Sequence, residues 1–122
     1  MNNMDTKVDK RGVVLTDNVD KAWLKSLEPQ YYADYIKFVV NPKTNKVCVG
    51  MDIHAYCQQE MGPAEDLLGG NIYFDEDKII YTSTLNVPRN LKLPGFKGNP
   101  RIIADEDGIN IVNNVLKAWV NL

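Results

Sequence analysis

Alternation of apolar and polar side chains constrains this chain more than any other feature. Between Ile36 and Val87 it reads as two consecutive β-hairpins. Ile36-Lys37-Phe38-Val39-Val40 is dense in strand-favouring residues, and Asn41 to Lys46 supplies turn chemistry around Pro42. Val47 to Cys57 then predicts a long antiparallel return strand. Side chains alternate along a strand, so the odd positions of this segment form its apolar face and the even positions its polar one. The even positions carry Asp52, His54 and Tyr56, and His54 is the only histidine in the chain. Asn71 to Phe74 and Ile79 to Val87, joined by the acidic turn Asp75-Glu76-Asp77, predict the second hairpin.

Helical patterns flank the hairpins. Val19, Trp23 and Leu27 recur every four residues and predict a helix capped by Thr16 or Asp17, favoured by Asp20 and ended at Glu28-Pro29. Met61 to Leu68 predicts a short helix, with Pro63 in its first turn and Gly69-Gly70 as its stop. The stretch Pro88 to Pro100, with three prolines and two glycines, predicts a long irregular loop. Asp105, Glu106 and Asp107 suit the positive end of a last helix. Ile109, Val112, Leu116 and Trp119 form its apolar face, with Val115 beside it. The expected fold is therefore α+β: an antiparallel sheet of about four strands with an N-terminal and a C-terminal helix packed on one face. Residues 1–13 read as a mobile tail and residues 14–122 as a single domain.

At 122 residues, 44% hydrophobic and 25% charged, the chain has the composition of an ordinary soluble domain. A net charge of -2 argues against general nucleic-acid binding through phosphate neutralisation. No apolar run is long enough to cross a bilayer, and Met1 to Lys7 has no hydrophobic signal segment. Cys48 and Cys57 have opposite parity, so on one strand they face apart and read as free thiols suited to a reducing compartment. The expectation is a cytoplasmic protein.

From Ile36 to Val87 the chain resembles a family of small, uncharacterised bacterial proteins classed as a domain of unknown function. The matching pieces are the opening strand Ile36 to Val40, Gly50 to Ala55 with His54-Ala55, and Glu65-Asp66-Leu67. Gly69-Gly70-Asn71-Ile72-Tyr73 and Ser83-Thr84-Leu85-Asn86-Val87 complete the series. Where that family tends to carry an acid after His-Ala, this chain has Tyr56. The resemblance implies a soluble bacterial α+β protein and brings no established activity.

Charge is segregated along the chain. Residues 48–77 hold seven acids and no Lys or Arg, whereas residues 78–104 hold five bases and no acid. Such blocks neutralise one another in a fold or present faces of opposite sign to partners. The first functional reading is a non-enzymatic binding or protein-interaction module. It would use Asp52, His54 and Tyr56 on the polar sheet face together with Arg89, Lys92 and Arg101 from the basic loop, to hold an unknown protein or a small anionic ligand. The alternative is a small hydrolase-like enzyme with His54 as base, oriented by Asp52, their Cα atoms about 6.5–7 Å apart on one strand face. No cofactor is expected. No metal is expected either, since His54 and Asp52 would need distant acids such as Glu60, Glu65 or Asp66 to complete a ligand set. Trp23 and Trp119 read as packing residues. Tyr31, Tyr32 and Tyr35 read equally as a cover for a sheet edge or as an aromatic contact surface. Edge strands must be hidden, which leaves the tyrosine segment or a second subunit in a homodimer as the cover.

Overall fold

The computed structural model describes residues 12–27, 35–50, 58–75 and 78–121. Its framework is a five-stranded antiparallel sheet built from β1 (Val13–Val14), β3 (Tyr35–Asn41), β4 (Lys46–Gly50), β5 (Leu68–Tyr73) and β6 (Lys78–Thr82). The strand order is β1-β4-β3-β5-β6, so β3 lies at the centre. The α+β class is as the sequence predicts, with one more strand in the sheet than expected; β3–β4 and β5–β6 pair as the two expected hairpins, but β6 ends at Thr82, and residues 51–57 of the first hairpin's return lie outside the described residues. Alternation decides the layers. Ile36, Phe38 and Val40 of β3 join Val47, Val49 and Ile72 in the main core. Two helices complete that core: α1 (Lys21–Ser26) through Leu24, and the long C-terminal helix α4 (Glu106–Trp119) through Val112, Val115 and Leu116. Burial of each such aliphatic side chain contributes about 1.5–3 kcal/mol.

Short pieces frame this core. Lys21–Ser26 is shorter than expected and begins later, because Val19–Asp20 forms a strand, β2, paired in parallel with β7 (Val120–Asn121). The cap is consequently Asp20, which accepts a hydrogen bond from the Trp23 N–H at 2.8 Å, and not Thr16 or Asp17. The Trp119 indole donates to the Asn45 carbonyl at 2.7 Å, which fastens the β3–β4 turn to α4. The Tyr81 hydroxyl donates to Asn113 at 2.9 Å and ties β6 to the same helix.

Short segments of the chain pair along part of the sheet's two sides. Val13, assigned from sequence to the tail, pairs with Val49 in β1, and the Leu15 N–H donates to the Val47 carbonyl. The opposite edge, β6, receives the segment 101–103: Ile103 donates to Tyr81, Ser83 donates to Arg101, and Thr82 bridges Ile102. Tyr35 stands in the central strand, not at an edge; Tyr31 and Tyr32 lie outside the described residues.

The second sheet face departs most from expectation. Even-numbered Cys48 is buried with Val39, Met61 and Leu67 in a smaller apolar cluster, so that face is not solvated there. The residues covering it come from α2 (Gln58–Met61) and the 3₁₀ turn Ala64–Asp66. Cys48 is disulfide-bonded, and Cys57 is the only other cysteine of the chain. The parity argument for free thiols required one unbroken strand through Cys57, and residues 51–57 lie outside the described residues. A disulfide belongs to an oxidising environment, which removes the thiol argument for a reducing one.

Gly69 and Gly70 do not stop a helix; they lie inside β5. A Cβ at Gly70 would stand 2.9 Å from the Phe38 ring and 2.3 Å from the Ile80 carbonyl oxygen. Interior strand glycines of this kind mark close approach of neighbouring groups. Val87 likewise does not end a strand. It opens α3 (Val87–Leu91), with Pro88 in the first turn, where its fixed φ suits a helix start. Among the described residues no helix is long and apolar enough to cross a membrane.

Two outcomes test this packing. Gly70→Ala should lower stability by about 1–3 kcal/mol, as overpacked core positions do, read as a lower denaturant midpoint; an unchanged midpoint would contradict the contact with Phe38. Thiol titration of the unfolded, unreduced chain should find no reactive cysteine. Reduction should then lower stability by about 2–4 kcal/mol, the usual contribution of a disulfide.

Candidate functional site

A cleft of about 240 Å³ opens on the second face of the sheet. Strand register builds its floor. Val39 of β3 stands opposite Gly69 of β5, which stands opposite Thr82 of β6. One step along, Lys37 faces Asn71, which faces Ile80. Residues in such rows share one face, so Lys37, Asn71 and Thr82 present their side chains together. Leu67 and the segment 83–85 complete the lining. With no side chain at Gly69, the floor stays low between Val39 and Thr82. Farther along the same face the Tyr35 and Tyr73 rings stack with centroids 5.0 Å apart, and the Lys78 ammonium lies 5.6 Å from the Tyr73 centroid.

Lys37 is half-buried, and among the described residues no carboxylate lies within ion-pair distance of it. The Asn71 amide and the Thr82 and Thr84 hydroxyls make no side-chain hydrogen bonds among the described residues either, which leaves them available to a ligand. Ser83 differs, because its Oγ donates to the Pro100 carbonyl and accepts from Asn90 at 2.7 Å. Asn90 is fully buried. Its amide also donates to the carbonyls of Pro100 at 2.7 Å and Ile102 at 2.9 Å.

The residues singled out from sequence fall into two groups. Asp52, His54 and Tyr56 lie outside the described residues. Of the basic segment, Lys92 and Arg101 are exposed, and the Arg101 carbonyl accepts from the Ser83 N–H. Arg89 is engaged with the protein itself. It forks onto Asp105, with Nη1 to Oδ1 at 2.5 Å and Nη2 to Oδ2 at 2.7 Å, and donates to Asn90 Oδ1 at 2.9 Å. Asp105 also caps α4 by accepting from the Gly108 N–H. Arg89 thus supports the cleft wall through Asn90 and Ser83. Of the acids weighed as ligands, Asp66 pairs with Lys43 at 2.9 Å. Among the described residues no group of three or more His, Cys, Asp or Glu gathers as a metal site.

Lys37, Asn71, Thr82 and Thr84 were not read from sequence as functional. The usable signal was Lys37, a lone charge in an otherwise apolar strand. Comparison with family models, curated proteins and solved structures returns no match, so the chain's own residues carry the functional argument.

The Asp105 carboxyl is held at about 2, below the usual 3.8, first by its hydrogen bonds from Arg89 and further by the Gly108 N–H. Its contribution is therefore complete above pH 4 and lost as pH falls towards 2, on the order of 2 kcal/mol. Asp105→Asn should flatten the fall in stability over that window, measured by chemical denaturation at successive pH values. An unchanged acid limb would exclude this pair as its source.

Proposed function

We propose that this chain is a non-enzymatic binding module that holds a small anionic ligand in the cleft beneath Leu85. One observation carries the reading: the half-buried Lys37 ammonium meets no carboxylate among the described residues and shares one face with the Asn71 amide and the Thr82 hydroxyl. An unpaired cation in a partly desolvated site favours a ligand of opposite sign, and convergent donors orient that ligand. Apolar lining from Val39, Leu67 and Leu85 adds burial for a nonpolar portion. Of the bases in 78–104, Arg89 serves the cleft wall as a positioning residue, through Asn90 and Ser83.

Titration of the isotope-labelled chain with a panel of small anionic fragments tests the site. Amide shifts should centre on residues 37–39, 69–71 and 82–85 and saturate together. Shifts centred on Lys92, Lys97 and Arg101, with the cleft unmoved, would replace this reading with simple surface attraction.

A further inference from the structure

We infer that the cleft selects a monocarboxylate with a compact apolar body, a ligand of about the size of benzoate. The inference rests on the cleft being the binding site and adds the chemistry of its occupant. Charge sets the first limit. Among the described residues Lys37 is the only Lys or Arg lining the cavity, so they offer it one positive charge. A dianion would leave a second negative charge uncompensated in a half-buried site, which is strongly unfavourable.

Donor type sets the second limit. Phosphate sites gather backbone N–H groups at helix N-termini or in glycine-rich nests. Here the glycines lie in β5, an interior strand whose neighbours β3 and β6 pair with it along Gly69 to Tyr73. Its backbone is committed to the two ladders, so Gly69-Gly70 offers no such nest. The side-chain donors left among the described residues are the Lys37 ammonium, the Asn71 amide and the Thr82 and Thr84 hydroxyls, a single cation with neutral donors that suits one carboxylate.

Volume sets the third. A dry cavity of about 150 Å³ accommodates benzene, so 240 Å³ accommodates a ring or short branched chain with its carboxylate. Val39, Leu67 and Leu85 give that body an apolar surround.

The full chain is titrated by calorimetry and by amide shifts with benzoate, hexanoate, the neutral isostere benzamide, and inorganic phosphate. Benzoate and hexanoate should saturate the cleft at least tenfold more tightly than benzamide, with phosphate weaker than either. Lys37→Gln should weaken benzoate roughly ten- to a hundredfold, the scale of a hydrogen bond to a charged group, while Lys37→Arg should retain most of the affinity. If Lys37→Gln fails to fold, Asn71→Leu provides the second variant and should weaken benzoate severalfold. Equal binding of benzamide and benzoate in the cleft would overturn the carboxylate assignment and leave the cleft as a binding site. Tighter saturation by phosphate, or a Lys37→Gln or Asn71→Leu variant with unchanged benzoate affinity, would overturn it as well. Cleft amides unmoved by all four probes would overturn both the assignment and the binding reading.

Discussion

The Phe38 ring lies where a side chain at position 70 would otherwise stand, and the rest of the sheet depends on that contact. It sets β5 against β3 so that Phe38 pairs with Gly70. A slip of one residue would send every side chain of β5 to the wrong face, taking Leu68 and Ile72 out of the main core. The same register places Gly69 against Val39 and Asn71 against Lys37. Core packing on one face of the sheet therefore determines the cleft on the other. A single pairing serves stability and site geometry together.

The second dependence is polar. Asp105 caps the long helix, receives both arms of Arg89 and, through Asn90, reaches Ser83 in the cleft wall. Asn90 is fully buried, so its loss would strand the carbonyls of Pro100 and Ile102 as well as the Ser83 hydroxyl. An unsatisfied buried polar group costs about 1–3 kcal/mol. The network is costly to break at any member, which holds residues 83–85 in place although they belong to no strand or helix. Gly108 contributes through its size: a Cβ there would stand 2.6 Å from the Arg89 guanidinium.

Much of this was legible in the residues, where one local rule acts alone. The alternation in Ile36 to Val40 located β3, and the apolar face of Ile109, Val112, Leu116 and Trp119 located α4. Errors arose where tertiary contacts outweighed a local rule. Gly69-Gly70 has the chemistry of a helix stop, yet the demand for space came from Phe38, some thirty residues away in sequence. Asp20 displaced Thr16 and Asp17 as the cap because Val19 pairs with Val120 at the far end of the chain. Parity predicted free thiols at Cys48 and Cys57, yet Cys48 is disulfide-bonded. Lys37 was visible as a lone charge, but strand order is not written in strand composition, so nothing local placed it on an interior strand. With β1 beyond β4 and β5 on its other side, β3 is interior, and so is its lysine.

An interior strand gains from apolar residues on both faces, and β3 has them at every position from Ile36 to Val40 except Lys37. The second face has the means to be closed. Val39, Cys48, Met61 and Leu67 seal one end of it, and the stacked Tyr35 and Tyr73 occupy the other. Between them the sheet keeps a charge, an amide and a hydroxyl on one face, beside a floor lowered by glycine. A leucine at position 37 would pack against Val39 and Leu67 and remove a partly desolvated ammonium, so stability alone does not account for the lysine. Departures from local consistency in an otherwise consistent sheet are where function resides in folded proteins. In this chain the departure coincides with the cavity, and that coincidence is what favours the proposed binding role over a packing defect.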